Sequence, residues 1–219
     1  MPELDICIPY RGRPDLLPCI SLALQGWMLE SDAWKTKLIV GNSDGDEWRN
    51  GQARNNAARD GKSPYILFAD ADMVIEPGGL TKILADCTPG HHFGYTSWLN
   101  PKGSTERWEH DIPLPAMLTK EWWNDIAATA KGWRSEGTMY GPNLLSRADF
   151  ERIGGYDERF SGWGAEDDAW ILACKRAGLR QVSMATPRFL HLPHQRAHDP
   201  ETYKANFKLW QEILNDGRA

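Results

Sequence analysis

Acidic side chains that could do chemistry are concentrated where a predicted helix begins. Glu166, Asp167 and Asp168 follow a glycine-rich stretch and precede an amphipathic segment that stops near Gly178. The helix dipole stabilises carboxylates there by about 0.3–1 kcal/mol each, so an ordinary acidic helix start is one interpretation. A sugar site is the other, because capping needs fewer acids and Trp163 stands between two glycines. There the indole would cover a sugar's apolar face while a carboxylate accepts a hydroxyl proton.

A second acidic pair follows a short apolar segment. Asp70 and Asp72 come directly after residues 65–68, a predicted strand. Side chains two residues apart on an extended chain project to the same side, so both carboxylates can face one ligand. Such oxygens suit Mg²⁺ or Mn²⁺, which also bind substrate phosphates. The triplet alone is weak support for a metal site, and its place after a strand makes it more specific.

Histidines and arginines supply two further groups. His191 and His194 follow a late predicted strand at a spacing that suits metal binding, although a lone histidine is more often a core or surface residue. Arg11 and Arg13 follow the first strand, and guanidinium groups bind phosphate oxygens bidentately. A solvated basic loop would be the better interpretation of the two arginines if the other groups were absent. His198 is a weaker metal candidate.

Strands and helices alternate in the part of the chain that must position these groups. Strands are predicted at residues 4–10, 37–40 and 65–68, with helices at 16–28 and 52–59. This order indicates an α/β fold with a largely parallel sheet, in which ligands bind at the carboxyl ends of strands.

Later elements are less regular. We predict a helix from Thr119 to about residue 131, strands at 138–146, 181–186 and 188–191, and a last helix capped by Asp199. The apolar face of that last helix is expected to dock on the domain through Tyr203, Phe207, Trp210 and Leu214.

Size and charge narrow the class of protein. The 219 residues fit one domain, and a net charge of −5 gives no general attraction to nucleic acid or anionic membranes. No signal peptide or apolar run of about 18 residues is visible. Four scattered cysteines predict buried reduced thiols and a cytoplasmic protein. They are Cys7, Cys19, Cys87 and Cys174.

The run Ser-Gly-Trp-Gly-Ala-Glu-Asp-Asp at residues 161–168 resembles the tryptophan-glycine-x-glutamate-aspartate signature of GT-A glycosyltransferases. The inverting β-1,4-galactosyltransferase type is the nearest. The retaining polypeptide N-acetylgalactosaminyltransferases are more distantly similar and usually carry asparagine in place of Asp167. Residues 8–13 resemble that type's uridine-diphosphate-binding run, and residues 191–194 resemble its manganese-binding Met-x-x-His, with His191 replacing methionine. The resemblance spans residues 6–198, except the tryptophan-rich middle.

The resemblance implies a single GT-A (Rossmann-like) α/β domain over residues 1–219, with a mostly parallel central sheet flanked by helices. Residues 1–90 would bind the nucleotide-sugar, residues 91–198 would form the acceptor and catalytic half, and residues 199–215 would be a C-terminal helix.

The implied reaction is metal-dependent, inverting transfer of a hexosyl or pentosyl group from a UDP-sugar to a hydroxyl. The acceptor would be a glycan, a lipid-linked precursor or a hydroxylated nucleobase. Asp167 would be the general base and Glu166 would hold sugar hydroxyls. Mn²⁺ (or Mg²⁺) would bind Asp72, His191 and His194. The donor-binding residues would be Pro9, Arg11, Arg13, Asp44, Arg54, Asp70 and Trp163.

Two other functions fit parts of this pattern. Sugar nucleotidyltransferases also use paired aspartates on α/β sheets, but Arg11-Gly12-Arg13 is a poor version of their glycine-rich, lysine-containing loop. A non-catalytic carbohydrate-binding module could use the eleven tryptophans as platforms. The acidic and metal-ligating groups argue against such a module.

Overall fold

The computed structural model describes residues 3–11, 36–100, 119–129, 131–134, 141–191 and 199–216. The predicted helix at 16–28 and three candidate binding residues lie outside these ranges. The three are Arg13, His194 and His198.

Ten strands and six helices are described within those ranges. The strands are β1 (Leu4–Pro9), β2 (Thr36–Gly41), β3 (Tyr65–Phe68), β4 (Met73–Ile75), β5 (His91–Tyr95), β6 (Ser97–Asn100), β7 (Lys131–Arg134), β8 (Asn143–Ser146), β9 (Arg180–Met184) and β10 (Phe189–His191). The helices are α1 (Asn50–Asp60), α2 (Gly79–Asp86), α3 (Lys120–Thr129), α4 (Arg147–Ile153), α5 (Glu166–Arg176) and α6 (Pro200–Asn215).

A six-stranded sheet in the order β2-β1-β3-β8-β5-β9 forms the centre of the fold. β1 runs parallel to β2 and β3, and β5 runs parallel to β9. β8 runs antiparallel to both of its neighbours, so the sheet is mixed. The predicted α/β fold with a central sheet flanked by helices is confirmed.

Buried apolar side chains cover both faces of this sheet. In β1, Ile6 and Ile8 belong to one core cluster and Cys7 to the other, because successive strand residues point to opposite faces. On the second face, Phe68 packs against Trp170 of α5, with their rings near perpendicular. This packing fixes α5, and therefore its acidic first turn, against the end of β3.

A smaller sheet in the order β4-β10-β6-β7 lies beside the first. β10 runs antiparallel to β4, with His191 opposite Met73. This register brings His191 next to Asp72, although 119 positions separate the two residues in the chain.

The last helix starts where the sequence predicts. The Asp199 side chain accepts hydrogen bonds from the backbone N–H groups of Glu201 and Thr202. The expected docking of its apolar face is wrong in part, because Phe207 and Leu214 are 48% and 40% exposed. None of the helices in the described ranges is long and apolar enough to cross a membrane.

Candidate active site

One buried arginine connects two of the acidic groups. Arg54 of α1 donates from Nη2 to Asp70 Oδ1 at 2.7 Å and from Nη1 to Asp167 Oδ1 at 2.8 Å. Its guanidinium also lies 5.0 Å from the centre of the Tyr156 ring. The turn after β3 and the first turn of α5 are therefore held together by a single side chain.

Burial dominates the electrostatics of this group. It raises the pKa of Asp70, and the Arg54 charge opposes that rise. Burial alone would lower the pKa of Arg54, but Tyr156 and the surrounding carboxylates raise it well above its ordinary value. Arg54 therefore stays charged at any physiological pH.

Glu166 and Asp167 are neighbours in different environments. Glu166 is 8% exposed and accepts hydrogen bonds from Asn50 Nδ2 at 3.4 Å and from the Gly164 backbone N–H at 3.0 Å. Burial, with the nearby Asp167 charge, raises its pKa to about 7. The Asp167 side chain is 28% exposed and pairs with Arg54 through Oδ1. Asp167 is thus the more accessible carboxylate for a substrate.

The loop of residues 161–165 presents Trp163 next to these acids. Gly162 and Gly164 have φ values of 63° and 113°, which side chains rarely tolerate. Ala165 adopts φ 65° just before α5, an unusual conformation for a residue with a Cβ. Trp163 is 47% exposed, and its ring stacks on that of Tyr203 with centroids 5.5 Å apart.

Asp72 and His191 form the described part of the predicted metal site. Asp72 Oδ2 lies 3.5 Å from His191 Nε2, and both side chains are partly buried. Two atoms bound at right angles to one ion, with bonds of about 2.1 Å, lie about 3 Å apart, so a small movement of either side chain would let this pair share a divalent cation. Within the described ranges no group of three or more candidate ligands occurs. His194, the third predicted ligand, lies outside them.

Three of the predicted donor-binding residues meet at the carboxyl ends of β1 and β2. Pro9 ends β1, and the Arg11 guanidinium donates to the Gly45 carbonyl at 2.7 Å. Asp44 accepts a hydrogen bond from the Gln52 side chain of α1 at 3.3 Å. The structure therefore brings Pro9, Arg11 and Asp44 to one edge of the sheet, where the first turns of α1 also lie.

Several residues of the site carry no signal in the sequence. Asn50 contacts Glu166 across 116 positions, and Asn206 of α6 donates to the carbonyls of Ser161 and Trp163. Asparagines are common in loops and helix starts, so only the folded arrangement shows that they hold the acidic loop.

Comparisons with known proteins agree with this arrangement. The family model described as the N-terminal domain of galactosyltransferase matches residues 124–195, which include α5 and β10. Validoxylamine A glucosyltransferase of Streptomyces hygroscopicus is 25% identical over 178 residues, covering 69% of this chain and 41% of that protein. Human chondroitin sulfate N-acetylgalactosaminyltransferase 2 is 26% identical over 211 residues, covering 92% of this chain and 37% of that protein. The chain thus spans less than half the length of these relatives.

Solved structures show the same fold. The catalytic domain of Drosophila β1,4-galactosyltransferase 7 in complex with xylobiose matches with a TM-score of 0.67 and 16% identity, covering 100% of this chain and 82% of that one. A mutant of that enzyme in complex with manganese, UDP-Gal and xylobiose gives a TM-score of 0.59 and 14% identity, covering 92% and 78%.

Together these findings support the class predicted from the sequence. The chain has the GT-A fold, and its sequence is similar to those of glycosyltransferases, including the β-1,4-galactosyltransferase type.

Proposed function

We propose that this protein transfers a sugar from a UDP-sugar to an acceptor hydroxyl, with inversion at the anomeric carbon and with the help of a divalent metal. The observation that carries the proposal is the Arg54 bridge, which sets the accessible Asp167 beside Asp70 at the end of β3. The Drosophila complex with manganese, UDP-Gal and xylobiose favours a UDP-sugar donor and a saccharide acceptor.

The donor would lie across the carboxyl ends of β1, β2 and β3. Pro9, Arg11, Arg13 and Asp44 would hold the uridine diphosphate, while Asp70 would approach the sugar. Asp72 and His191, with His194, would bind Mn²⁺ or Mg²⁺, since carboxylate oxygen and imidazole nitrogen are suitable ligands for Mn²⁺. When bound, the ion would neutralise charge on the departing diphosphate.

Asp167 would act as the general base. Its carboxylate would take the proton of the acceptor hydroxyl as that oxygen bonds to the anomeric carbon and the bond to the diphosphate oxygen breaks. A general base typically contributes about 10²–10⁴-fold to the rate. Arg54 would fix the direction of this carboxylate through the 2.8 Å hydrogen bond.

Glu166 would support this base by shaping the loop. The buried carboxylate already accepts bonds from Asn50 and from the Gly164 backbone. A role in holding residues 161–165 therefore fits the geometry better than direct contact with a sugar hydroxyl.

Isothermal titration of UDP with Mn²⁺, Mg²⁺ or EDTA tests the donor and metal sites. We expect metal-dependent binding that is lost in Asp72→Asn and His191→Ala. His91→Ala is the matched control, because His91 begins β5 at the opposite end of the sheet. UDP binding that is equal in Mn²⁺ and EDTA would contradict the metal site. Release of diphosphate from a nucleoside triphosphate and a sugar phosphate would instead indicate a sugar nucleotidyltransferase.

A further inference from the structure

The loop of residues 161–165 is clamped between two other parts of the chain. On one side, the Gly162 N–H donates to the Trp48 carbonyl at 2.7 Å, and Gly162 forms a β-bridge with Arg49. The other side of the loop rests on α6. Since Glu166 and Asp167 follow this loop directly, its position sets theirs.

α6 contacts the loop through its first two turns. Asn206 is buried, and its Nδ2 donates to the Ser161 carbonyl at 2.8 Å and to the Trp163 carbonyl at 3.3 Å. A Cβ added at Gly162 would lie 2.9 Å from Thr202 Cγ2. These contacts leave the loop no room to move towards the helix.

Tyr203 makes the closest contact. A Cβ added at Gly164 would lie 2.6 Å from Tyr203 Cδ2, and the Tyr203 ring stacks on Trp163 with an interplanar angle of 21°. Tyr203 therefore covers one face of the indole, and the exposed part of Trp163 belongs to its other face and edges. A flat ring supported from behind presents that other face in one fixed orientation.

We infer that α6 contributes to the acceptor site by holding the loop of residues 161–165 in place. Asn206 and Tyr203 are the positioning residues for Trp163 and Asp167. This inference rests on the proposed transferase function. The acceptor class that fits is a pyranose, whose apolar face would stack on the supported indole while its hydroxyl meets Asp167. Neither α6 residue needs to touch the sugar.

Hydrogen exchange tests the clamp without any substrate. Asn206→Asp keeps the side-chain shape but turns an oxygen towards two carbonyl oxygens. We expect peptides covering residues 161–165 to exchange about tenfold or more faster, because two hydrogen bonds are lost and repulsion replaces them. Lys204→Ala is the control, because Lys204 is exposed on the same turn of α6. In this variant the peptides covering residues 161–165 should exchange at the wild-type rate.

Partition between acceptor and water tests the positioning role. With UDP-galactose as donor and xylobiose as acceptor probe, Tyr203→Ala should lower the ratio of transfer to donor hydrolysis by about tenfold, with UDP affinity within twofold of wild type. Tyr203→Phe should restore most of that ratio, because it keeps the stacked ring. A merely structural defect would lower both reactions together and leave the ratio unchanged.

The two arms separate failure of this inference from failure of the proposed function. Wild-type exchange rates for residues 161–165 in Asn206→Asp would overturn the clamp. An unchanged partition ratio in Tyr203→Ala would overturn the positioning role. A third outcome combines two results: the 161–165 peptides exchange faster in Asn206→Asp, but the wild-type protein neither binds UDP nor cleaves UDP-sugars. This outcome would support the clamp and contradict the proposed transferase function.

Discussion

Arg54 does two tasks with one side chain. It places a positive charge between Asp70 and Asp167, and its fixed fork sets the direction of each carboxylate. Both carboxylates accept hydrogen bonds from the same buried guanidinium, so its positive charge offsets the repulsion between them. A lysine ammonium is a point charge on a flexible stem and would not hold both at these distances.

Arg54→Lys should therefore destabilise the protein by about 2 kcal/mol and reduce transfer by at least about tenfold, because one partly buried carboxylate loses its partner. Urea unfolding and initial transfer rates measure the two effects. Arg59→Lys is the control, since Arg59 pairs with Glu158 at the surface, where such pairs contribute about 0–1 kcal/mol. Equal losses of stability and of transfer rate in the two variants would contradict the role of Arg54 in holding both carboxylates.

Asp167→Asn should lower the transfer rate by about 10²–10⁴-fold, because an amide cannot take the acceptor proton. UDP binding with Mn²⁺ should stay within a few-fold of wild type. Asp157→Asn, whose carboxylate pairs with Arg159 at the surface, is the control and should transfer normally. An Asp167→Asn protein that keeps most of its rate would remove Asp167 from the role of base.

Glu166 should give stability a pH dependence of its own. Its pKa is raised from 4.5 to about 7 in the folded protein. Between these values the folded protein holds a proton that the unfolded chain has released, so the free energy of unfolding falls as the pH rises through this window. Glu166→Gln should remove the part of this decrease in the free energy of unfolding that Glu166 causes. Denaturation curves from pH 4 to 8 for both proteins test this, and parallel pH dependences would contradict it.

At the scale of elements, the glycines of the 161–165 loop let it lie between α6 and the residues that directly precede α1. Gly164 has a positive φ and also faces the Tyr203 ring. Gly178, after α5, has a positive φ of 77° with no atom within 4 Å of an added Cβ. An alanine at Gly178 therefore introduces backbone strain alone, whereas an alanine at Gly164 introduces the same kind of strain and a steric contact with Tyr203.

Gly178→Ala should cost about 1–2 kcal/mol from the left-handed backbone alone. Gly164→Ala should cost more and should also reduce transfer, because Trp163 and Tyr203 would be forced apart. Thermal unfolding and transfer rates of both variants measure this difference. Equal stability and activity in the two variants would contradict the close packing of the loop on α6.

Local signals in the sequence predicted elements better than they predicted contacts. Asp199 and Gly178 mark helix ends because capping and a left-handed turn depend on nearby residues alone. The direction of β8 was not predictable, since an antiparallel neighbour for β3 depends on pairing across 75 or more positions. Asn50 and Asn206 were missed for the same reason. Their partners are fixed only when distant elements meet.

At the scale of the whole molecule, the two ends of the central sheet are built differently. The carboxyl ends of β1, β2 and β3 carry the accessible polar groups of the site. At the start of β1, Asp5 is buried and accepts hydrogen bonds from Arg147 and from the Ser63 backbone and hydroxyl. This second end is compact, and the Asp5 carboxylate even excludes a Cβ at Gly61.

The end of the central sheet at Asp5 should therefore affect the stability of the protein but not its affinity for UDP. Asp5→Ala would leave the Arg147 guanidinium without its buried partner and should cost about 3–5 kcal/mol. Ser63→Ala removes only the hydroxyl hydrogen bond and should cost about 1 kcal/mol. Urea unfolding measures both losses. In the folded fraction at low temperature, UDP affinity should match wild type, since Asp5 lies at the opposite end of β1 from Pro9. A weakening of UDP binding that grows with the loss of stability would instead mean that the two ends of the sheet are coupled.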